Sequence, residues 1–149
     1  MKIFLATDHA GYFKKEVAKR LLEEWGYKYE DKGAFEYDKN DDYPPYMEEV
    51  AREVAKDPKN SRGIIFGGSG QGEAMVANSY AKEGVRAGVY YGKDLNVPKL
   101  LREHNDANIL SIGAWHIPLE DMKKAIKIFL ETPFSDEERH KRRILQFSK

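Results

Sequence analysis

Short apolar runs alternate with helix-patterned segments along the whole chain, and no other feature of the sequence narrows its fold so far. Lys2–Thr7 (KIFLAT) is apolar without strict alternation, the pattern of a strand buried on both faces. Phe13, Val17, Leu21 and Leu22 then recur at helical spacing, and Gly26 supplies a natural C-terminal stop. Tyr27–Asp31 reads as a second, weaker strand closed by Gly33. Asp42 ahead of Tyr43-Pro44-Pro45 marks a helix start, with prolines tolerated in the first turn. Val50, Ala51, Val54 and Ala55 give that helix its apolar face. Gly63–Phe66, Val85–Tyr91 and Ile109–Ile112 read as the third, fourth and fifth strands. Further helices follow the glycine-rich loop after Phe66, run over Lys93–His104 with a disturbance at Pro98, and run over Pro118–Leu130. The alternation implies an α/β protein: a doubly wound, five-stranded parallel sheet with helices on both faces. A length of 149 residues suits a single domain, 1–149, and no repeat, low-complexity tract or linker divides it. The tail, about 135–149, is highly charged yet helical in pattern, and is expected to pack against something, a second subunit being one candidate.

Lys+Arg and Asp+Glu both number 25, so the broad basic field of a nucleic-acid binder is missing. There is no cysteine, which excludes a disulfide scaffold, a thiolate nucleophile and Cys-ligated zinc. The first apolar run, Ile3–Ala6, is far too short to span a bilayer, and no signal-peptide pattern is present. A soluble, cytoplasmic protein with no membrane partner is the expectation.

In a doubly wound fold, ligands sit beyond the carboxyl ends of the strands. The polar residues assigned there are Asp8 and His9 after strand one, Ser69 to Glu73 after strand three, His104 and Asn105 after the fourth strand's helix, and Gly113 to His116 after strand five. GGSGQGE (Gly67 to Glu73) is not a Walker A loop, since no Gly-Lys-Ser/Thr follows. Its four glycines exceed what a turn requires. They let backbone N–H groups approach a ligand at a helix N-terminus, a nest suited to an enediolate or carboxylate oxygen as well as a phosphate. Glu73 either favours the helix dipole or acts as a base, and sequence chemistry balances the two. Asp8 either caps the following helix or lines the pocket with His9. His104 either favours a helix C-terminus or serves as a general acid. Arg139 and Arg143, four apart, share one helix face and suit a phosphate, although a charge run is more often a solvated face.

Taken together, TDHAGYFKK (Thr7 to Lys15), DYPPY (Asp42 to Tyr46), GGSGQGE, GVRA (Gly84 to Ala87), EHNDANIL (Glu103 to Leu110) and TPFSDEERHKRRI (Thr132 to Ile144) resemble the ribose-5-phosphate isomerase B family, which includes the galactose-6-phosphate isomerase subunits. The motifs match in order over nearly the whole chain. The resemblance implies a Rossmann-like fold, a homodimer or homotetramer, and interconversion of an aldose and a ketose phosphate without metal or cofactor. One version of the family's loop uses a cysteine base; this loop resembles the version with a serine and a terminal glutamate, and so assigns Glu73 as the base. By the same resemblance, backbone N–H groups around Ser69, Gly70 and Gly72 hold the oxyanion, with Gly68 and Gln71 completing the loop's contacts. His104 opens the sugar ring, and Asp8, His9 and Asn105 bind hydroxyls, His9 lying near the phosphate. Arg139 and Arg143 bind the phosphate, reaching it from the partner subunit.

One departure stands out. The family pattern after the fifth strand is Gly-small-Arg, and here it is Gly113-Ala114-Trp115. Trp115 replaces a phosphate-binding cation by an aromatic wall. Ribose 5-phosphate remains the default substrate. A different aldose, such as a six-carbon sugar phosphate, and a non-catalytic sugar-phosphate-binding module are the alternatives. Nucleic-acid binding through Arg142 and Arg143 is the weakest reading.

Overall fold

Five strands form the sheet: β1 (Lys2–Thr7), β2 (Tyr29–Asp31), β3 (Ser61–Gly67), β4 (Ala87–Tyr90) and β5 (Ile109–Gly113). The computed structural model describes residues 1–149 and pairs the strands in parallel, in the order β2-β1-β3-β5-β4. Six helices accompany them: α1 (Tyr12–Glu24), α2 (Pro44–Lys56), α3 (Gln71–Asn78), α4 (Asn96–Asn105), α5 (Leu119–Glu131) and α6 (Glu138–Phe147). The doubly wound expectation holds. None of these helices is long and apolar enough to cross a membrane.

The unbroken apolar runs have a direct cause. Successive strand residues face opposite sides of the sheet, and here both sides are covered. Ile3 and Leu5 of β1 join Ile64, Phe66, Leu110 and Ile112 in a core roofed by α1 and α5 through Leu22, Met122, Ile126 and Phe129. Phe4, Ala6, Ile65 and Ile109 face the second core, roofed by α2 and α3 through Met47, Val50, Val54 and Ala77.

Several boundaries shift for identifiable reasons. β2 keeps only Tyr29–Asp31 of the expected run, an edge strand half-buried throughout. β4 begins at Ala87 because Arg86 N–H is taken by Asn108 Oδ1 and Val85 N–H by Tyr80 O. Pro98 does not disturb α4; it falls in the first turn, where no N–H bond is owed. Asp42 makes no capping bond to α2, whose N-cap is Tyr43. α6 starts at Glu138, later than the helical pattern suggests.

From β1 the chain winds to β2 on one side and then crosses to β3 on the other. The two crossing helices, α1 and α2, lie on opposite faces, so the carboxyl ends of β1 and β3 open a crevice. Asp8-His9 and the loop Gly67–Glu73 flank it. His104 and Asn105 do not join them there, contrary to expectation. A helix that follows a strand runs back along the sheet, so α4 ends at the amino edge beside the start of β5. Asn108 just beyond it bonds Pro58 O and Gly84 O, both in loops that lead into strands.

A buried ion pair ties α1 to the end of β2. Lys15 is fully buried, and its Nζ donates to Asp31 Oδ1 at 2.6 Å and to Ala34 O at 2.7 Å. Asp31 Oδ1 also accepts Gly33 N–H at 2.9 Å, and Oδ2 meets Lys19 Nζ at 2.9 Å. Both pKa values are lowered, for opposite reasons. Burial works to raise the Asp31 pKa, but Lys15, the Gly33 N–H and Lys19 outweigh it and hold it below the usual value. For Lys15 burial prevails and pushes the pKa down. The cation therefore depends on its carboxylate. Because the Asp31 pKa is depressed on folding, its contribution is complete above the unfolded-state value and is lost as pH falls through the folded-state value. Asp31→Ala should lower unfolding stability by about 3–5 kcal/mol, read from urea midpoints, whereas Lys15→Met, which removes the buried charge itself, should cost clearly less.

Candidate active site

The site grows from the sharp turn at the end of β3. Gly70 adopts φ +79°, a left-handed conformation that glycine takes without strain, and it immediately precedes α3. Ser111 Oγ of β5 donates to Gly70 O at 2.6 Å, and Ala114 and Trp115 donate their N–H groups to Gly67 O and Gly68 O at 2.7 and 3.1 Å. These bonds use the loop's carbonyls. The N–H groups of Ser69, Gly70 and Gly72 have no acceptor within the chain and crown the N-terminus of α3, as an anion nest requires.

Glu73 lies in the first turn of α3 and is 4% exposed. Its carboxylate folds back over Gly67, where any Cβ would collide with it. No other side chain hydrogen-bonds to it. Burial raises its pKa above the usual value, opposed by its own backbone N–H and reinforced by the charge of Asp8.

Asp8, at the end of β1, caps the short 3-10 turn His9–Gly11 by accepting Ala10 N–H at 3.0 Å, and it also lines the pocket. Burial is the first cause of its raised pKa. His9 Nδ1 lies 2.7 Å from Asp41 Oδ1. Asp8, His9 and Asp41 bring ligand-type atoms within 4.8 Å of one another, but Nδ1 is spent on Asp41, so the group forms a hydrogen-bonded dyad beside a carboxylate.

The resulting pocket measures about 300 Å³ and is lined by Asp8, His9, Tyr43, Ser69, Glu73 and Trp115, with Gly68 and Gly72 beneath. The Trp115 indole is 71% exposed and lies across Gly68, whose missing Cβ makes room for it. Lys14 of α1 holds the Trp115 loop by donating to Ala114 O and Ile117 O at 2.5 and 2.6 Å. Gln71 faces a neighbouring hollow with Tyr91 and His116. A larger concavity of about 520 Å³, beside Lys2 and Asp57, opens at the amino edge, away from Glu73.

His104, Asn105, Arg139 and Arg143 form a second group at that amino edge. The His104 ring lies 4.3 Å from that of His140 on α6, and Ser135 N–H bonds Glu103 O, so α4 and α6 form one unit. His140 is buried, and its pKa is lowered first by burial and then by His104, Arg139 and Arg143 nearby. Arg139 pairs with Glu137 at 2.7 Å, while Arg143 has no ion-pair partner; both are exposed. One protomer therefore brings Glu73, Ser69, Asp8, His9 and Trp115 together and leaves His104, Asn105 and the two arginines at its opposite edge.

Two residues at the site fall outside the sequence expectations: Tyr43, which lines the pocket, and Asp41, which bonds His9. Asp41 and Tyr43 sit in the β2–α2 loop, and the Tyr43 hydroxyl stands directly over Gly72. A helix N-terminus that follows a strand points to the carboxyl edge, so the polar run before Pro44 is the available signal.

Comparison with known proteins agrees with this architecture. A sequence model described as "Ribose/Galactose Isomerase" matches residues 3–147. The ribose-5-phosphate isomerase B of Mycolicibacterium paratuberculosis is 37% identical over 144 residues, 97% of this chain and 87% of that one. The solved ribose-5-phosphate isomerase B of Mycoplasma genitalium, with bound ribulose-5-phosphate, superimposes with a TM-score of 0.92 at 31% identity, covering 99% of this chain and 93% of that one. The corresponding structure from Clostridium thermocellum gives a TM-score of 0.90 at 32% identity, with 99% and 95% covered. The chain belongs to the ribose/galactose isomerase family.

Proposed function

We propose that the protein is an aldose–ketose isomerase that interconverts ribose 5-phosphate and ribulose 5-phosphate in a site completed by a second copy of the chain. The observation that carries the proposal is Glu73: a buried, unpaired carboxylate of raised proton affinity, beside a nest of free N–H groups. A base with a raised pKa matches its task better than a solvated one. Family membership and the ligand of the Mycoplasma genitalium relative support the substrate.

His104 opens the sugar ring by proton transfer. Glu73 then takes the proton from C2, and the bond's electron pair forms the enediolate. The N–H groups of Ser69, Gly70 and Gly72 stabilise the developing oxyanion. A proton passes from O2 to O1, the C2–O2 double bond forms, and Glu73 returns its proton to C1. Asp8 and Asn105 hold hydroxyls, Arg139 and Arg143 bind the phosphate with His9 beside it, and Gly68, Gln71 and Trp115 bound the substrate. No step calls for a metal or cofactor.

The electrostatics support completion by a second copy. Asp8, Asp41 and Glu73 make one protomer's pocket acidic, and a dianionic phosphate entering it needs cations. The unpaired Arg143 and its neighbour Arg139 lie at the other edge of the same chain. A twofold arrangement, in which each edge meets the partner's opposite edge, supplies both sites at once. A homodimer is the minimum, and a homotetramer contains it.

The exposed Trp115 indole favours one second reading, an aldose phosphate other than ribose 5-phosphate, since an aromatic face packs against sugar C–H surfaces.

Glu73→Gln should reduce ribose 5-phosphate turnover at least about 10²-fold with the fold retained by circular dichroism; undiminished turnover would remove Glu73 from the mechanism. Mixing inactive Glu73→Gln with inactive His104→Ala after reversible unfolding should restore about a quarter of wild-type activity, since half of the dimers are mixed and each holds one intact site. A strictly intramolecular site predicts no recovery. The acid limb of kcat/KM should lie above the ordinary glutamate value, because Glu73 must lose its proton to act and burial raises its pKa. Asp8→Asn removes a neighbouring negative charge and should move that limb to lower pH.

A further inference from the structure

We infer that Asp41 is a positioning residue, which clamps His9 so that the imidazole presents Nε2–H to the phosphate of the substrate. The inference rests on the sugar-phosphate reading above. Asp41 lies 32 positions from His9, in the loop between β2 and α2. Its Oδ1 accepts two bonds from that one residue, from the backbone N–H at 3.0 Å and from Nδ1 at 2.7 Å. Two anchors on one acceptor fix both the position and the rotation of the ring.

The tautomer follows from donor inventory. An ionised carboxylate only accepts, so Nδ1 carries the proton. Nε2, on the far side of the ring, has no partner within the chain and is left for a ligand. The charged groups facing the ring are Asp41, Asp8 (Oδ2 at 3.8 Å) and Asp38. All three favour the imidazolium. The bond to Asp41 is the first cause of a raised His9 pKa, with burial opposing it. A raised pKa means that the charged donor is present at lower pH and is lost as pH rises through the folded-state value.

The pocket needs such a donor. Of the residues lining it in one protomer, His9 alone can be positive, while Asp8 and Glu73 are acidic. Asp41 carries a further sign of specialisation. Its side chain is 7% exposed, and Oδ2 is buried with no hydrogen-bond partner. Such an orphaned buried acceptor is uncommon in a folded chain and calls for an explanation.

The test reads the imidazole directly. Carbon and nitrogen NMR of His9, assigned by loss of its signals in His9→Ala, would be followed against pH in wild type and Asp41→Asn, with and without inorganic phosphate. The amide of Asp41→Asn keeps an acceptor oxygen but carries no charge. We expect an Nδ1–H tautomer in the wild type below full protonation, a His9 pKa that falls in Asp41→Asn, and a phosphate-dependent shift of the ring signals. Phosphate affinity and KM for ribose 5-phosphate should each weaken about tenfold, the value of one charge-assisted bond, with a smaller fall in kcat. In a His9→Ala background, Asp41→Asn should add no further loss of phosphate affinity. An unmoved His9 titration, or a phosphate affinity unmoved while the titration moves, overturns the inference. So does an Nε2–H tautomer in the neutral wild-type ring, a result that needs no variant to fold. If the wild type fails to turn over ribose 5-phosphate while His9 and phosphate respond as described, the substrate assignment fails and the Asp41–His9 clamp stands.

Discussion

The pairing of β1 with β3 governs where everything else can go. These strands lie side by side from Lys2 and Ser61 to Thr7 and Phe66, although 59 residues separate each pair. Both are buried on two faces, so neither can slip by one residue without exchanging one core for the other. Their carboxyl ends therefore arrive together. Asp8 and Glu73 become neighbours, and the charge of Asp8 adds to the raised proton affinity of Glu73, because the sheet permits no other alignment. A buried carboxylate with raised proton affinity is in this sense a product of strand register.

The fold is largely readable in the sequence because its signals are local and physical. A parallel sheet covered on both faces needs uninterrupted apolar runs, and KIFLAT and the run ending at Phe66 supply them. Glycine and proline then mark the ends. The expectations fail where long-range bonds override local pattern. Val85 and Arg86 look like strand, yet their N–H groups are claimed by Tyr80 and by the Asn108 side chain. His104 falls on the expected helix but at the opposite edge, since a crossover helix returns along the sheet. Asp41 and Tyr43 carry little local signal, because a loop's path is set by distant partners, here His9 and Gly72. The Gly67–Glu73 loop is readable in chemical terms from its glycines, but the open acceptor capacity of Glu73 emerges only from the absence of partners around it.

A net charge of zero conceals an uneven distribution. The carboxyl edge gathers Asp8, Asp41 and Glu73, while the amino edge carries Arg139 and Arg143 on a helix whose Leu145 and Phe147 are 69% and 52% exposed. The two groups are opposite in sign. In the proposed twofold arrangement the two groups face each other.

The distance between Glu73 and His104 on a single chain has a consequence for dose. If neither edge can act without the other, the active species forms by mass action, and the amount of enzyme rises with the square of chain concentration when copies are scarce. Substitutions far from any substrate, at Leu145 or Phe147 for instance, then act as changes in effective enzyme concentration. A cell that makes half as much of this chain would, in that regime, lose more than half of its activity.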